Sequence, residues 1–416
     1  MYLLNTGRIA SSCWSPDLRM IYNFGIQEKM KSSQKSSECC AKSGYRRFAM
    51  IALLGAVGTF AFPCGAQIAG NGRSITVAAM DQFLREQMDS LKIPALSIAF
   101  INNGKIVYHR ALGVTDTASS RKVDGQSLFE AASASKPVFA FLVMKMVEKR
   151  ILDLDTPLFR YLPLPDLGND ERYKLITARM VLSHTTGFPN WRWVNPETGE
   201  WGDRKMYLLH DPGTFSYSGE AYHYLAQVVA HLNGLSLSNL DSLFQQEVAI
   251  PLGMKYAYFS WNDRMARHKV TGYKEDGPVY DKWEAADAMY ADSTMFGAAN
   301  ALHTEAVSYA HFLIAMMEHK GLRKESVEEM LKIQASIPKE QAANWGEIQG
   351  WGLAFAIEPT NHGVRYSHGG HNPGFLAGCM FYKAHKNGYV FFLNNDQAGL
   401  FFARLRAFLG EGKWPD

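Results

Sequence analysis

The sequence predicts an α+β fold. An antiparallel sheet is assembled from both chain ends and flanked by helices, with a mainly helical region inserted at about residues 150–345. Three observations carry this reading. Toward the N-terminal side, the strand-like runs ALSIAFI (95–101) and KIVYHRALG (105–113) are separated by Asn102-Asn103-Gly104, a tight hairpin turn. Toward the C-terminal side, GFLAGCMFYK (374–383) and YVFFLNN (389–395) form a second hairpin, with its turn expected at Lys386-Asn387-Gly388. Between them the apolar spacing is helical, as in Tyr222–Asn233, Asn239–Val248 and Thr304–Lys320.

The elements follow in order. The first 66 residues read as a leader. Arg46 and Arg47 precede a 15-residue apolar run, Phe48 to Phe62, followed by the small residues of Cys64-Gly65-Ala66. Such a run is short for a membrane span and suits the core of a signal peptide. The leader predicts an exported protein, with cleavage near Ala66 or, as the alternative, a retained membrane anchor. Residues 67–75, containing GNGRS, read as a linker, and 76–416 as one domain. Of the 43 Lys+Arg and 40 Asp+Glu in the chain, residues 1–66 hold 8 and 3, which leaves 35 against 37 in the remainder. The basic balance therefore belongs to the leader, and nothing suggests a nucleic-acid partner. Four of the five cysteines also lie in the leader, so the remaining Cys379 has no partner for an internal disulfide.

An amphipathic helix is expected from about Val77 to Leu91, then the first hairpin, then FEAASASKPVFAFLVMKMVEK. Here Ser133 and Lys136 stand three apart at the head of an apolar helix, which puts them on one face one turn apart. A serine hydroxyl needs a base beside it to act as a nucleophile. A lysine serves as one only when burial lowers its pKa, and Val138–Met144 supplies the apolar surroundings. Pro137 is tolerated because it falls in the first helical turn. The same S-x-x-K spacing at Ser32, Ser119 and Ser336 lacks this context. Spacing alone leaves open an N-cap serine with a lysine that snorkels to solvent.

Two further segments bear on the choice. PGTFSYSGEAYHYL (212–225) presents Tyr217 on a turn before a helix, and RYSHGGHNPGF (365–375) presents His368-Gly369-Gly370 at the start of a strand. Paired glycines on an edge strand allow close backbone approach. Together these segments resemble the serine hydrolases of the β-lactamase and penicillin-binding-protein superfamily. The similarity is greatest to the branch with class C β-lactamases, D-aminopeptidases and related esterases, and it extends over about residues 76–410. LVMKMVEKRILDLDTPL, MVLSHTTGFPNW and PLGMKYAYF add to it. The resemblance implies a β-lactamase/transpeptidase-like fold, no cofactor, and a small-molecule or peptide substrate. It implies that Ser133 is acylated, that Lys136 and Tyr217 share the proton, and that His368, Gly369, Gly370 and His371 line the oxyanion and substrate region, with the His371 N–H as oxyanion donor.

Two positions depart from the family pattern. Gly219 stands where the Tyr-x-Asn motif has asparagine, and His368, expected to be a weak and pH-dependent cation, where the strand often has lysine. These departures favour a short-chain ester or D-amino-acid substrate, with a class C-type β-lactamase or D,D-peptidase as the alternative. The pair His368 and His371 lacks a third ligand, so no metal site is expected. His184 is expected to fix a loop by hydrogen bonding. The aromatic stretch NWRWVNPETGEW (190–201) suits either a cleft wall or internal packing. No G-x-S-x-G and no P-loop motif occurs.

Overall fold

The computed structural model describes residues 67–70, 73–194, 205–274, 277–279, 295–339, 341 and 348–411. Residues 1–66, on which the expected leader and export signal fall, lie outside the described residues.

Short strands β1 (Gln67–Gly70) and β2 (Arg73–Thr76) pair with each other, where a linker was expected. Helix α1 (Val77–Ser90) follows, capped by the Thr76 hydroxyl, which accepts from the Ala79 N–H. Strands β3 (Ala95–Asn102) and β4 (Lys105–Gly113) form the first hairpin. Of the expected turn Asn102-Asn103-Gly104, Asn102 already lies in β3, and Asn103 and Gly104 form a two-residue turn with positive φ at both, 49° and 71°.

The middle of the chain carries β5 (Phe129–Glu130), α2 (Ser135–Glu148), α3 (Ala178–Leu182) and α4 (Gly219–Leu232). Further on come α5 (Leu240–Phe244), continued by a π-helical turn, α6 (Ile250–Leu252), β6 (Ala257–Tyr258), α7 (Asp263–His268), β7 (Gly272–Lys274), β8 (Gly277–Val279) and β9 (His303–Thr304). Helices α8 (Ala306–Glu318) and α9 (Lys324–Leu331) precede β10 (Ala335–Ser336), β11 (Gly350–Trp351), β12 (Ala356–Thr360), β13 (Gly363–Asn372), β14 (Phe375–Tyr382) and β15 (Asn387–Leu393). Helix α10 (Leu400–Leu409) closes the described chain.

Eight of these strands make one antiparallel sheet in the order β10-β11-β12-β13-β14-β15-β3-β4. The last long strand, β15, sits beside the first, β3, so both chain ends build one sheet as expected. The apolar pattern foresaw the long hairpins and missed β10 to β12, two of which are only two residues long. The turn of the second hairpin is Lys383–Lys386, with Lys386 at φ 52°, and Asn387-Gly388 already lie in β15. The inserted region also contributes β6 and β9 to a small β5-β9-β6 sheet, whose two-residue strands have no period to betray them.

Strand β3 is buried on both faces, which explains an apolar run interrupted before Asn102 only by the buried Ser97. Leu96, Ile98 and Phe100 join a core with α1 and α10 through Met80, Leu84, Phe401 and Leu405. Ala95, Ala99 and Ile101 face the other way, into the larger core around α2 and α8. Helix α2 lies at the centre of that core, with Ser135 through Met144 all buried. Each large buried side chain contributes on the order of 1.5–3 kcal/mol, so α2 is held from all sides and its N-terminal end is fixed in space.

Candidate active site

That fixed end carries Ser133. The serine lies in a single 3₁₀ turn, Ala132–Ala134, just ahead of α2 and not in its first α-helical turn. From residue 127 to 144 every residue is buried except Ser133, which is partly exposed. Ala132 holds the left-handed φ of 48° without being glycine, a conformation that costs on the order of 1–3 kcal/mol and persists only where surroundings impose it. The surroundings are specific. The Ser135 hydroxyl donates to the Ala132 carbonyl at 2.5 Å and accepts from the Leu302 N–H at 2.9 Å. Tyr309 Oη donates to the Ala134 carbonyl at 2.8 Å, and the Ala131 N–H to the Leu302 carbonyl at 2.8 Å.

Lys136 is fully buried, with no exposed surface. Its Nζ is 3.1 Å from Ser133 Oγ and 2.9 Å from the Ala299 carbonyl oxygen. It lies 4.7 Å from the ring centre of Tyr217 and 5.5 Å from that of Tyr222. Burial pushes the amine well below the usual lysine range. The lysine does not snorkel, so the structure decides against that alternative.

Tyr217 is half-buried on the turn ahead of α4, whose N-cap is Ser218. Its ring stacks on His184 at 4.1 Å between centroids and is 6.0 and 6.2 Å from Trp351 and His368. His184 fixes this turn as expected: its Nδ1 accepts from the Ser218 N–H at 3.1 Å, and its carbonyl accepts from the Ser216 N–H at 2.7 Å.

His368, Gly369 and Gly370 lie in the middle of β13, not at its start, and β13 is not an edge strand. Yet β12 pairs with β13 only from Gly363 to Ser367, whereas β14 pairs along its whole length to Asn372. The half containing the glycines thus has the serine turn on its second side. A Cβ at Gly370 would stand 2.3 Å from the Ala131 carbonyl oxygen and 3.2 Å from the Ala134 nitrogen. Only glycine lets the strand reach the turn, and His371 follows directly. Gly370→Ala is expected to push the two apart, lowering turnover by about a hundredfold, at a stability cost of ~1–3 kcal/mol. Steady-state kinetics beside thermal melting checks this.

Where a pH-dependent cation was expected, His368 is 4% exposed, and burial together with the neighbouring Lys136 pushes it down to about 3. At neutral pH the imidazole is uncharged. His223 and His303, each at about 4, and His184, well below its usual range, are likewise held neutral by burial. Unfolded imidazoles bind protons below about pH 6.5, so the unfolded state takes up protons that the folded state refuses, and acid destabilises the fold. Glu411 and Asp241, raised by burial to about 7 and 6, act in the opposite sense. Four imidazoles outweigh these two carboxyls, so Tm is expected to fall between pH 7 and 5, as calorimetry across that range would register.

Several site residues were not foreseen. Trp351 touches Tyr217, His184 and His368 from β11. Glu130 is buried beside Lys269 at 3.1 Å and accepts from Asn372 Nδ2 at 2.6 Å, which ties the end of β13 to β5. A lone glutamate in an apolar run was the available signal, but its partners are distant in sequence. Trp191 packs on Gly219 so closely that a Cβ there would meet its ring at 2.5 Å, so an asparagine at 219 has no room. The described part of the 190–201 stretch therefore packs, Trp191 on Trp193 at 5.8 Å, and borders the site at once; residues 195–201 lie outside the described residues. Among the described residues no group of three His, Cys, Asp or Glu is placed to hold a metal ion.

A sheet from both chain ends is backed by a central helix, at whose head a partly exposed serine stands beside a fully buried lysine whose pKa that burial lowers. The chain belongs to the Beta-lactamase family, whose model matches residues 80–410. It is similar to penicillin-binding protein 4* of Bacillus subtilis, 24% identical over 71% of this chain and 66% of that protein. It also matches esterase EstB of Burkholderia gladioli, 36% identical over 27% of this chain and 28% of the esterase. Protein flp of Staphylococcus aureus is 23% identical over 52% of this chain, which spans about half (46%) of flp's length. Among solved structures, the octameric penicillin-binding protein homologue from Pyrococcus abyssi superposes with a TM-score of 0.66 at 20% identity, over 81% of this chain and 78% of that one. A class C β-lactamase does so with 0.61 at 20% identity, over 80% and 93%.

Proposed function

We propose that this protein is a serine hydrolase that forms an acyl-enzyme at Ser133 and acts on an ester or amide. The observation that carries the reading is Lys136 Nζ, fully buried and pushed by that burial toward its neutral form, 3.1 Å from a serine hydroxyl that alone in its segment reaches the surface. A neutral amine has a lone pair to accept the Ser133 proton. As Oγ bonds to the substrate carbonyl carbon, that proton passes to Lys136 and on through Tyr217 to the leaving group, whose bond to the carbonyl breaks. The developing oxyanion lies between the backbone N–H groups of Ser133 and His371. Water then attacks the acyl carbon, gives its proton to the same pair, and releases the acid and the serine.

Esterase EstB among the relatives supports an ester substrate, and the neutral His368 and the closed space at Gly219 favour esters over β-lactams. The class C β-lactamase likeness keeps a lactam as the second reading. The basic, then apolar, then small-residue order of the first 66 residues supports export. A fluorophosphonate probe should modify Ser133, located by mass spectrometry, and p-nitrophenyl esters should be turned over faster than nitrocefin. Modification at another serine would sink the assignment, and faster nitrocefin turnover would restore the lactamase reading.

A further inference from the structure

In the proposed mechanism the oxyanion N–H groups come from two segments far apart in the chain, Ser133 on the turn that follows β5 and His371 on β13. Asn372 and Phe375 close the β13–β14 hairpin around Pro373-Gly374, so these two residues exchange its last backbone bonds. The N–H of His371 therefore turns away from β14, to the side that β12 leaves open beyond Ser367. Gly370 turns its face to the Ala131 carbonyl, and the next side chain on that face is Asn372. Asn372 Nδ2 donates to Glu130 Oε2 at 2.6 Å and to the Asn300 carbonyl oxygen at 3.3 Å. Glu130 stands three residues before Ser133. Its backbone is fixed by the pairing of β5 with β9, and its Oε1 is 3.1 Å from Lys269 Nζ. Burial works against the Glu130 charge, but Lys269 and the Asn372 bond more than offset it, so the carboxylate stays ionised. Glu130 and Asn372 are both buried, so the bond between them is charge-assisted and shielded from water.

Resting on the serine-hydrolase reading, we propose that Glu130 is a positioning residue that sets the distance between the Ser133 and His371 N–H groups by holding Asn372. Glu130 does not meet the substrate. It fastens the strand end that carries one donor to the segment that carries the other. Oxyanion stabilisation needs both donors about 2.7–3.1 Å from one oxygen. A shift of about 1 Å in such a group costs on the order of a hundredfold in rate. The contact at Gly370 stops β13 from coming closer, and the Glu130 bond stops it from drawing away. Ser133 and Lys136 belong to one turn and helix, so loss of that bond leaves the nucleophile beside its base and spoils the oxyanion hole alone.

The test uses the full chain, with p-nitrophenyl butyrate as substrate and phenylboronic acid as inhibitor. The tetrahedral boronate on Ser133 sets a boron-bound oxygen between the two N–H groups, so its inhibition constant reports on the oxyanion hole. A loss of folded protein lowers turnover and leaves that constant unchanged. Asn372→Asp opposes two carboxylates and should lower kcat/KM about a hundredfold and weaken boronate binding at least about tenfold. With Glu130→Gln added, the bond re-forms with its polarity reversed: the new amide donates to the new carboxylate, and its oxygen accepts from Lys269. The double variant should recover at least about tenfold in both quantities. Asn372→Ala, which leaves the Glu130–Lys269 pair in place, is read as the single variant if Asn372→Asp does not fold. A boronate constant within about threefold of the native value in the folded single variant overturns the proposal, whatever happens to turnover. Loss without recovery in the double variant assigns the role to Asn372 and overturns it for Glu130. If the native chain turns over no ester and no probe labels Ser133, the serine-hydrolase reading itself has failed.

Discussion

Ser133→Ala is expected to lose turnover by about 10⁴-fold or more and to lose fluorophosphonate labelling altogether, with Tm unchanged to within about 1 °C. The first effect follows from position. Ser133 Oγ is 3.1 Å from Lys136 Nζ, and Ser133 is the one residue of its segment that reaches solvent. The second follows from what holds the turn. The bonds that fix it belong to Ser135, Leu302, Tyr309 and Ala131, none of them to the Ser133 hydroxyl. A large drop in Tm would show that the hydroxyl supports the turn itself. Residual turnover near the native rate would remove Ser133 from the mechanism.

Lys136→Met should cut turnover by about 10³-fold and raise Tm. Methionine fills nearly the same space without a charge to hide. In the unfolded chain the lysine holds its proton at neutral pH, whereas in the folded protein burial lowers its affinity for that proton. More protons are bound unfolded than folded, so the lysine weakens the fold at neutral pH, by ~1.4 kcal/mol per unit of lowering. Against this stands the Ala299 carbonyl left without its donor, at ~1–3 kcal/mol. The balance favours methionine, and the gain should shrink as the pH is raised toward 10. A variant that is inactive and also less stable would mean that the bond to Ala299 outweighs the buried amine.

How much of this was legible beforehand can be traced residue by residue. The long strands announced themselves because β3, β14 and β15 need apolar residues on buried faces, and the turn at Asn103-Gly104 because few residues accept positive φ at two successive positions. Ser133 and Lys136 were legible because a lysine at the head of an otherwise apolar helix is costly and calls for a reason. His368 was legible as a position and misread as a cation, since its charge depends on Lys136, Trp351 and Tyr217, brought to it only by folding. Trp351 and Trp191 carried no local mark, because an aromatic ring in a cleft and one in a core look alike in one dimension. The Glu130–Lys269–Asn372 cluster was out of reach for the same reason.

The position of β15 beside β3 has a consequence in time. The Ala95 N–H finds its acceptor, Asn394 Oδ1, 299 residues further along the chain. While the chain is being made, the first hairpin has no neighbour on its inner side, and the helices of the middle have no finished sheet to rest on. Closure of so long a loop is slow and comes late. The strained turn at Ala132, which only completed surroundings can hold, forms after β13 arrives against it. Nascent chains therefore carry Ser133 and Lys136 without their folded geometry, and the pair is set in place only once β13 has been delivered.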